Sequence, residues 1–180
     1  MKKVTFVLGG CRSGKSSHAQ KMAEAAATDH RIYIATCIPH DDEMKDRVTR
    51  HQADRGRGWQ TVEAPTELPK ALETAARAAS VILIDCLTLW TTNILLSPAS
   101  APHVDRYILD LTAALDRTRI PVFLVSNEVG AGIVPENRLA RQFRDVMGTV
   151  NQRIAACADE VIWTVAGIPV TIKATAPPLE

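Results

Sequence analysis

Val4-Thr5-Phe6-Val7-Leu8, followed directly by Gly9-Gly10-Cys11-Arg12-Ser13-Gly14-Lys15-Ser16, is the stretch on which the fold turns. The first five residues are a mostly apolar run, the pattern of a strand buried on both faces. The next eight read G-x-x-x-x-G-K-S, and residues 17–27 behind them are rich in helix formers. Strand, glycine loop and helix in that order are the setting in which this spacing works as a P-loop. Glycines let the backbone wrap a phosphate chain without Cβ clashes, and successive N–H groups then form an anion nest. The helix N-terminus adds unpaired N–H groups and its positive dipole end. In such a loop Lys15 reaches the β- and γ-phosphates and the Ser16 hydroxyl holds Mg²⁺. The same residues also read as a plain glycine turn; the strand and helix on its flanks favour the phosphate cradle.

Outward from that unit, short apolar runs alternate with helical patterns. Strands are expected at 4–8, 32–35, 81–85, 122–126 and 161–165, which argues for an α/β fold with a parallel sheet flanked by helices. Residues 60–63 read as a short extended piece before Pro65. Residues 170–172 read as a small C-terminal edge strand after a turn at Gly167. Helices are expected over 16–27, from Asp41 or Asp42 to just before Gly56, from a Thr66 cap through Ala79 with Pro69 in its first turn, over 104–119, and after Pro135. In the last of these Leu139, Phe143, Val146, Val150 and Ile154 form a helical stripe, and Gly148 is expected to mark a close helix contact. The run 87–96 is apolar and mixed in period, so it reads as a short helix or a packed loop. Residues 97–102 form a loop too short to separate domains, and 174–180 a frayed tail. The 180 residues are expected to make one domain.

Composition narrows the function. Lys plus Arg number 21 and Asp plus Glu 20, a formal net charge of +1, so no global field points to nucleic acid. Cys11, Cys37, Cys86 and Cys157 are far apart and form no C-x-x-C pair, which argues against a zinc ribbon or a dithiol redox site. No apolar run approaches the roughly 20 residues of a membrane span, and Lys2-Lys3 are followed by only a five-residue apolar run, so neither a leader nor a span is expected. Free thiols then suit a cytoplasmic protein.

Further candidates lie at strand ends. Asp85 closes the apolar run 81–84 and reads as the acid that stands near Mg²⁺ in P-loop enzymes; the alternative is a turn cap. Asn127 and Glu128 close the run 122–126 and fit either a phosphate or metal-water contact or an ordinary turn. The segment 129–135, with Gly130 and Gly132, is a lid or a plain loop. His51 falls with Met44 and Val48 on one face of the second helix, near Arg47, Arg50, Arg55 and Arg57. That cluster suits a triphosphate and keeps an imidazole neutral and nucleophilic, although a histidine on a helix is commonly a packed or surface residue.

GGCRSGKSSHA (9–19), YIAT (33–36), DDEMKDRVTRHQ (41–52), WQTVEAP (59–65), IDCLTLWTTNIL (84–95), NEVGAGIVPENRLARQFRD (127–145) and VNQRIAACADEV (150–161) occur in that order. Together they resemble the bifunctional adenosylcobinamide kinase/adenosylcobinamide-phosphate guanylyltransferase family of cobalamin biosynthesis. The resemblance implies a RecA-like P-loop NTPase sheet and two reactions. ATP or GTP phosphorylates adenosylcobinamide; GMP from GTP then passes through a guanylyl-histidine to adenosylcobinamide phosphate. It places that histidine at His51 and the P-loop at Gly9, Gly10, Cys11, Arg12, Ser13, Gly14, Lys15 and Ser16. Nucleotide contacts fall at Thr36, Cys37, Ile38, Gln52, Ala53, Asp54, Arg55, Glu63 and Asp85, with Ser16 and Asp85 toward Mg²⁺. It also implies a homotrimer with a corrinoid substrate. Asp85 departs from the family's Glu, Arg50 stands where some members have a second His, and Cys11 replaces a small apolar residue. Two other readings are a small-molecule kinase without guanylyl transfer, told apart by the absence of covalent GMP, and a nucleotide-dependent binding module, told apart by the absence of turnover.

Overall fold

The computed structural model describes residues 3–39, 41–56 and 58–174, and of Arg47, His51 and Asp54 only the backbone. Of the frayed tail expected at 174–180, Ala174 ends a strand instead, and the rest lies outside the described residues, as does the expected contribution of Arg57. Seven strands form one sheet: β1 (Val4–Gly9), β2 (Arg31–Ala35), β3 (Trp59–Glu63), β4 (Val81–Asp85), β5 (Val122–Asn127), β6 (Glu160–Val165) and β7 (Ile168–Ala174). Their order is β3-β2-β4-β5-β1-β6-β7, and every neighbouring pair is parallel except β6 with β7. The five expected strands are present. The extended piece at 60–63 is edge strand β3, and 170–172 belongs to the longer β7.

Six α-helices connect them: α1 (Lys15–Ala26), α2 (Asp42–Arg55), α3 (Leu68–Ala75), α4 (Leu87–Leu96), α5 (Val104–Arg117) and α6 (Arg138–Cys157). Strand alternation splits the core in two. Phe6, Ile82, Ile84, Val122 and Leu124 face one side and pack with α3, α4, α5 and α6. Val7, Val81, Leu83, Phe123 and Val125 face the other and pack with Ala19 and Ala23 of α1. Central strands buried on both faces are why these segments read as continuous apolar runs.

Three local expectations are corrected. Helix α3 begins at Leu68 after Glu67, so Thr66 is not its cap; the Thr66 carbonyl instead accepts from Trp90 Nε1 at 2.8 Å, and the helix ends at Ala75 rather than Ala79. Leu139, placed in the apolar stripe of α6, is 47% exposed, because that stripe meets the core only from its middle onward. Gly148 marks no close contact: a Cβ there would meet nothing within 4 Å.

Candidate nucleotide site

The glycine loop is fixed from both ends. β1 is buried along its length and hands the chain to Gly9, where a side chain has no room. A Cβ on Gly9 would stand 2.3 Å from Ser13 Oγ and 2.6 Å from the Thr164 carbonyl oxygen. Gly14, with φ +91°, precedes α1 in the left-handed region that glycine tolerates, and no side chain caps that helix. Its first-turn N–H groups therefore face the loop without a side-chain partner. The turn between β6 and β7 closes on the same loop, with the Gly167 N–H donating to the Ser13 carbonyl at 3.0 Å. Lys15 Nζ donates to the Gly10 carbonyl at 3.1 Å. The hydroxyls of Ser13 and Thr164 are buried and unpartnered, an arrangement that usually costs free energy. Cys11 and Arg12 are exposed.

Asp85 ends β4 in register with Ala35 of β2 and next to Val125 of β5. Two residues after Leu83, it shares the sheet face that α1 covers. Tyr33 lies on that face of β2, its phenol within reach of the Asp85 charge. Burial above all, then the Asp85 charge, holds the Tyr33 phenol far above its ordinary range. The Cys86 thiol is pushed up to about 12, again by burial first and Asp85 second.

Behind these ends, helix side chains lock the strands together. Thr36 is fully buried; its hydroxyl donates to the Cys86 carbonyl at 2.7 Å and accepts from the Cys86 N–H at 2.9 Å. Asn93 Nδ2 of α4 donates to the carbonyls of Thr36 and Pro65 at 2.8 and 3.0 Å. The Asn127 N–H donates to Thr88 Oγ1 at 2.8 Å, and its carbonyl accepts from Asn151 Nδ2 of α6 at 3.1 Å. Asn127 Oδ1 is buried and unpartnered, with the residue in register beside Gly9. The Glu128 N–H donates to the Gly9 carbonyl at 3.1 Å. Past it, Arg144 donates to the Gly130 carbonyl and Arg141 to the Pro135 carbonyl at 3.0 Å, pinning the loop from α6 and leaving Ile133 at its tip 97% exposed.

Helix α2 leaves the same sheet edge after β2. Asp41 caps it, Oδ1 accepting from the Met44 N–H at 2.7 Å. His51 lies in it, one turn before Arg55. Gln52 and Ala53 are exposed; Arg55 is only 9% exposed, its guanidinium 3.5 Å from the centroid of the Tyr33 ring. Cys37 is half-buried, and Ile38 and Glu63 are exposed near the ends of β2 and β3. The structure thus brings the P-loop, Asp85, Asn127 and Glu128 to one edge, with α2 beside them. Tyr33, Thr164 and the Gly167 turn were not singled out from sequence as parts of this site; their signal was only that they close or border apolar strands.

A mostly parallel sheet with a glycine loop after β1 and an acid at the end of β4 is the P-loop NTPase fold. Two solved structures share it: the KaiC-like protein PH0186 of Pyrococcus horikoshii, with a TM-score of 0.52 and 12% identity over 90% of this chain and 70% of that one, and the flagellar accessory protein FlaH of Methanocaldococcus jannaschii, with a TM-score of 0.55 and 14% identity over 99% and 81%. Within that class the chain belongs to the cobinamide kinase/cobinamide phosphate guanyltransferase family, whose profile matches residues 5–172. The bifunctional adenosylcobalamin biosynthesis protein CobU of Salmonella typhimurium is 43% identical over 93% of this chain and 98% of its own. The protein of that name from Escherichia coli is 41% identical over the same shares. The bifunctional adenosylcobalamin biosynthesis protein CobP of Pseudomonas aeruginosa is 40% identical over 93% and 96%.

Proposed function

We propose that one site performs two reactions: ATP or GTP phosphorylates adenosylcobinamide, and GMP then passes from GTP to adenosylcobinamide phosphate through His51. The observation that carries this reading is a shared edge. The P-loop and Asp85 open on the C-terminal ends of the strands, where ligands bind in open α/β sheets, and the helix that carries His51 starts from that edge after β2.

In the phosphoryl step the loop N–H groups and the start of α1 hold the phosphate chain, and Lys15 exchanges the Gly10 carbonyl for phosphate oxygens. A bound phosphate gives the buried Ser13 hydroxyl the acceptor it lacks. Ser16 and Asp85 fit Mg²⁺, which takes one or two protein oxygens and completes its shell with phosphates and water. Bound there, the ion neutralises charge on the transferred group. Among the described residues no group of three His, Cys, Asp or Glu is placed to hold a metal ion.

In the guanylyl step a neutral His51 ring nitrogen attacks the α-phosphorus of GTP. The N–P bond forms as the bond to pyrophosphate breaks, and pyrophosphate departs. A phosphate oxygen of adenosylcobinamide phosphate then attacks the same phosphorus, the N–P bond breaks, and adenosylcobinamide-GDP leaves. From the family resemblance Thr36, Cys37, Ile38, Gln52, Ala53, Asp54, Arg55 and Glu63 are assigned to the nucleotide. Thr36 is fully buried, its hydroxyl held by Cys86 and its backbone by Asp85 and Asn93, so it supports the strand ends from behind.

The proposed assembly is a cytoplasmic homotrimer. Its support is the edge strand β7, exposed along its length, whose Ile168, Val170 and Ile172 adjoin the exposed Trp163 and Val165 of β6. No helix among the described residues is long and apolar enough to cross a membrane.

Mass spectrometry tests these points together. With GTP and Mg²⁺ the denatured chain should gain one GMP, labile to acid, and His51→Ala should gain none. GMP retained in His51→Ala removes the nucleophile assignment, and no gain in the parent leaves a kinase alone. The native mass should be three chains.

A further inference from the structure

Helix α2 carries the proposed nucleophile, yet little of it is buried. Among its described side chains Arg55 alone is buried, while Met44 and Val48 are half-covered and the rest face solvent. No other described element packs broadly against it. Among the described residues, its C-terminal end meets the sheet through a stack, the Arg55 guanidinium 3.5 Å from the centroid of the Tyr33 ring. Tyr33 is itself 7% exposed and lies on the α1-facing side of β2, within reach of the Asp85 charge. The Trp59 ring of β3 meets Tyr33 edge-on at 6.4 Å between centroids, and Trp59 Nε1 donates to Glu24 of α1 at 3.1 Å. A continuous seam of charge and aromatic rings therefore runs from α1, across β3 and β2, to the last residue of α2.

We propose that Arg55 and Tyr33 are positioning residues that fix the end of α2, and with it the backbone at His51 one turn earlier, against the sheet face that Asp85 shares. This role rests on the guanylyl-transfer reading for its consequence in catalysis, and on the stack alone for its consequence in structure. A guanidinium over an aromatic face is attractive, and more so once desolvated, as here. A nucleophile displaced by about 1 Å loses on the order of 100-fold in rate. One cation–ring contact at the base of a solvent-covered helix is placed to prevent that displacement.

Two measurements test it on the full chain. The first is amide exchange in α2 without nucleotide. Arg55→Met and Tyr33→Leu should speed exchange across α2 by at least about tenfold, with β1, β4 and β5 unchanged. Arg55→Lys, which keeps a cation, and Tyr33→Phe, which keeps the ring, should restore most of the protection. The second is single-turnover GMP transfer from GTP to His51. It should slow about 30- to 100-fold in Arg55→Met and in Tyr33→Leu, and recover to within about tenfold in Arg55→Lys. Loss in Tyr33→Leu separates positioning from direct nucleotide contact, which would raise the KM for GTP in Arg55→Met alone.

Unchanged α2 exchange in both disruptive variants overturns the anchor. So does GMP transfer at the parent rate in Arg55→Met. If α2 exchange responds as expected but the parent carries no GMP, the anchor stands and the guanylyl-transfer reading fails.

Discussion

Helices α1 and α2 each follow a parallel strand and border the same sheet edge, but they are held in opposite ways. α1 buries Ala19 and Ala23 completely against Val7, Leu83, Phe123 and Val125, and the glycine loop feeding it is closed by the Gly167 turn. α2 buries one described side chain, an arginine, on one ring. The difference matches two tasks. A triphosphate needs N–H groups already in place, because preorganised dipoles cost nothing to orient when the ligand arrives. A side chain that attacks one substrate and later gives way to another needs a fixed base with little packing along its length. In the proposed mechanism the packed helix grips and the lightly packed helix carries the reagent.

The sharpest way to break the packed side is Gly9→Ala. Its Cβ would meet the Thr164 carbonyl oxygen at 2.6 Å, and that atom belongs to β6, paired directly with β1. The Ser13 hydroxyl can rotate away, but the β6 backbone cannot move without disturbing the sheet. Overpacking of this kind costs about 3 kcal/mol, or a Tm lower by roughly 6–12 °C at this chain length. The loop should also lose nucleotide affinity. Calorimetry with and without a non-hydrolysable ATP analogue reads both; an unchanged Tm would show that the cradle is as loosely held as α2.

How much of this was legible in the sequence depends on the range of the interactions. Gly9–Ser16 and the five parallel strands are local patterns, and the structure has them. α4 read as either helix or packed loop because its buried face, Leu87, Thr88, Trp90, Thr91, Ile94 and Leu95, includes two threonines while apolar Leu89 and Leu96 lie off it, so hydropathy shows little helical period. Glu67 precedes α3 without side-chain capping, so the Thr66 signal misled. The Tyr33–Arg55 stack joins residues 22 apart in sequence, across a strand and a crossing helix, and the approach of Tyr33 to the Asp85 charge depends on the register of β2 with β4. Neither leaves a trace in spacing. Of the proposed site, the loop and Asp85 were readable from pattern; His51 stood out only through its family resemblance.

Alkaline pH probes the seam between the two helices. Cys86 has its pKa raised to about 12 from 9.0, and that of Tyr33 is raised further. Both groups are neutral when protonated, and the folded chain holds the proton longer than the unfolded one. Their contribution is fully present below the unfolded values and is lost as pH rises toward the folded ones. Stability should therefore decline above about pH 9, by about 1.4 kcal/mol per pH unit for each group once its unfolded form has ionised. Urea unfolding of Cys86→Ala between pH 9 and 11 should show a slope shallower by about that amount. A parallel slope in the two proteins would mean that the thiol does not hold its proton in the folded state, and that the floor beneath Asp85 is more open than the packing indicates.

The smallest effect discriminates best between the two helices, because the same substitution can be made in each. Lys21 lies mid-helix in α1 and Lys45 in the early turns of α2, both exposed. Lys→Gly costs the helix about 0.7 kcal/mol through backbone entropy at either position. Lys45 adds only an exposed pair with Asp42 at 2.8 Å, worth a few tenths of a kcal/mol at most. In α1 the cost should reach global stability, since the helix unfolds with the sheet it covers, and Tm should fall by about 2 °C. In α2 the helix can open by itself, so Tm should fall by less than about 1 °C while amide exchange in its first turns quickens several-fold. Equal losses of Tm would place α2 inside the cooperative core, and the division between a helix that grips and a helix that carries would then have no energetic basis.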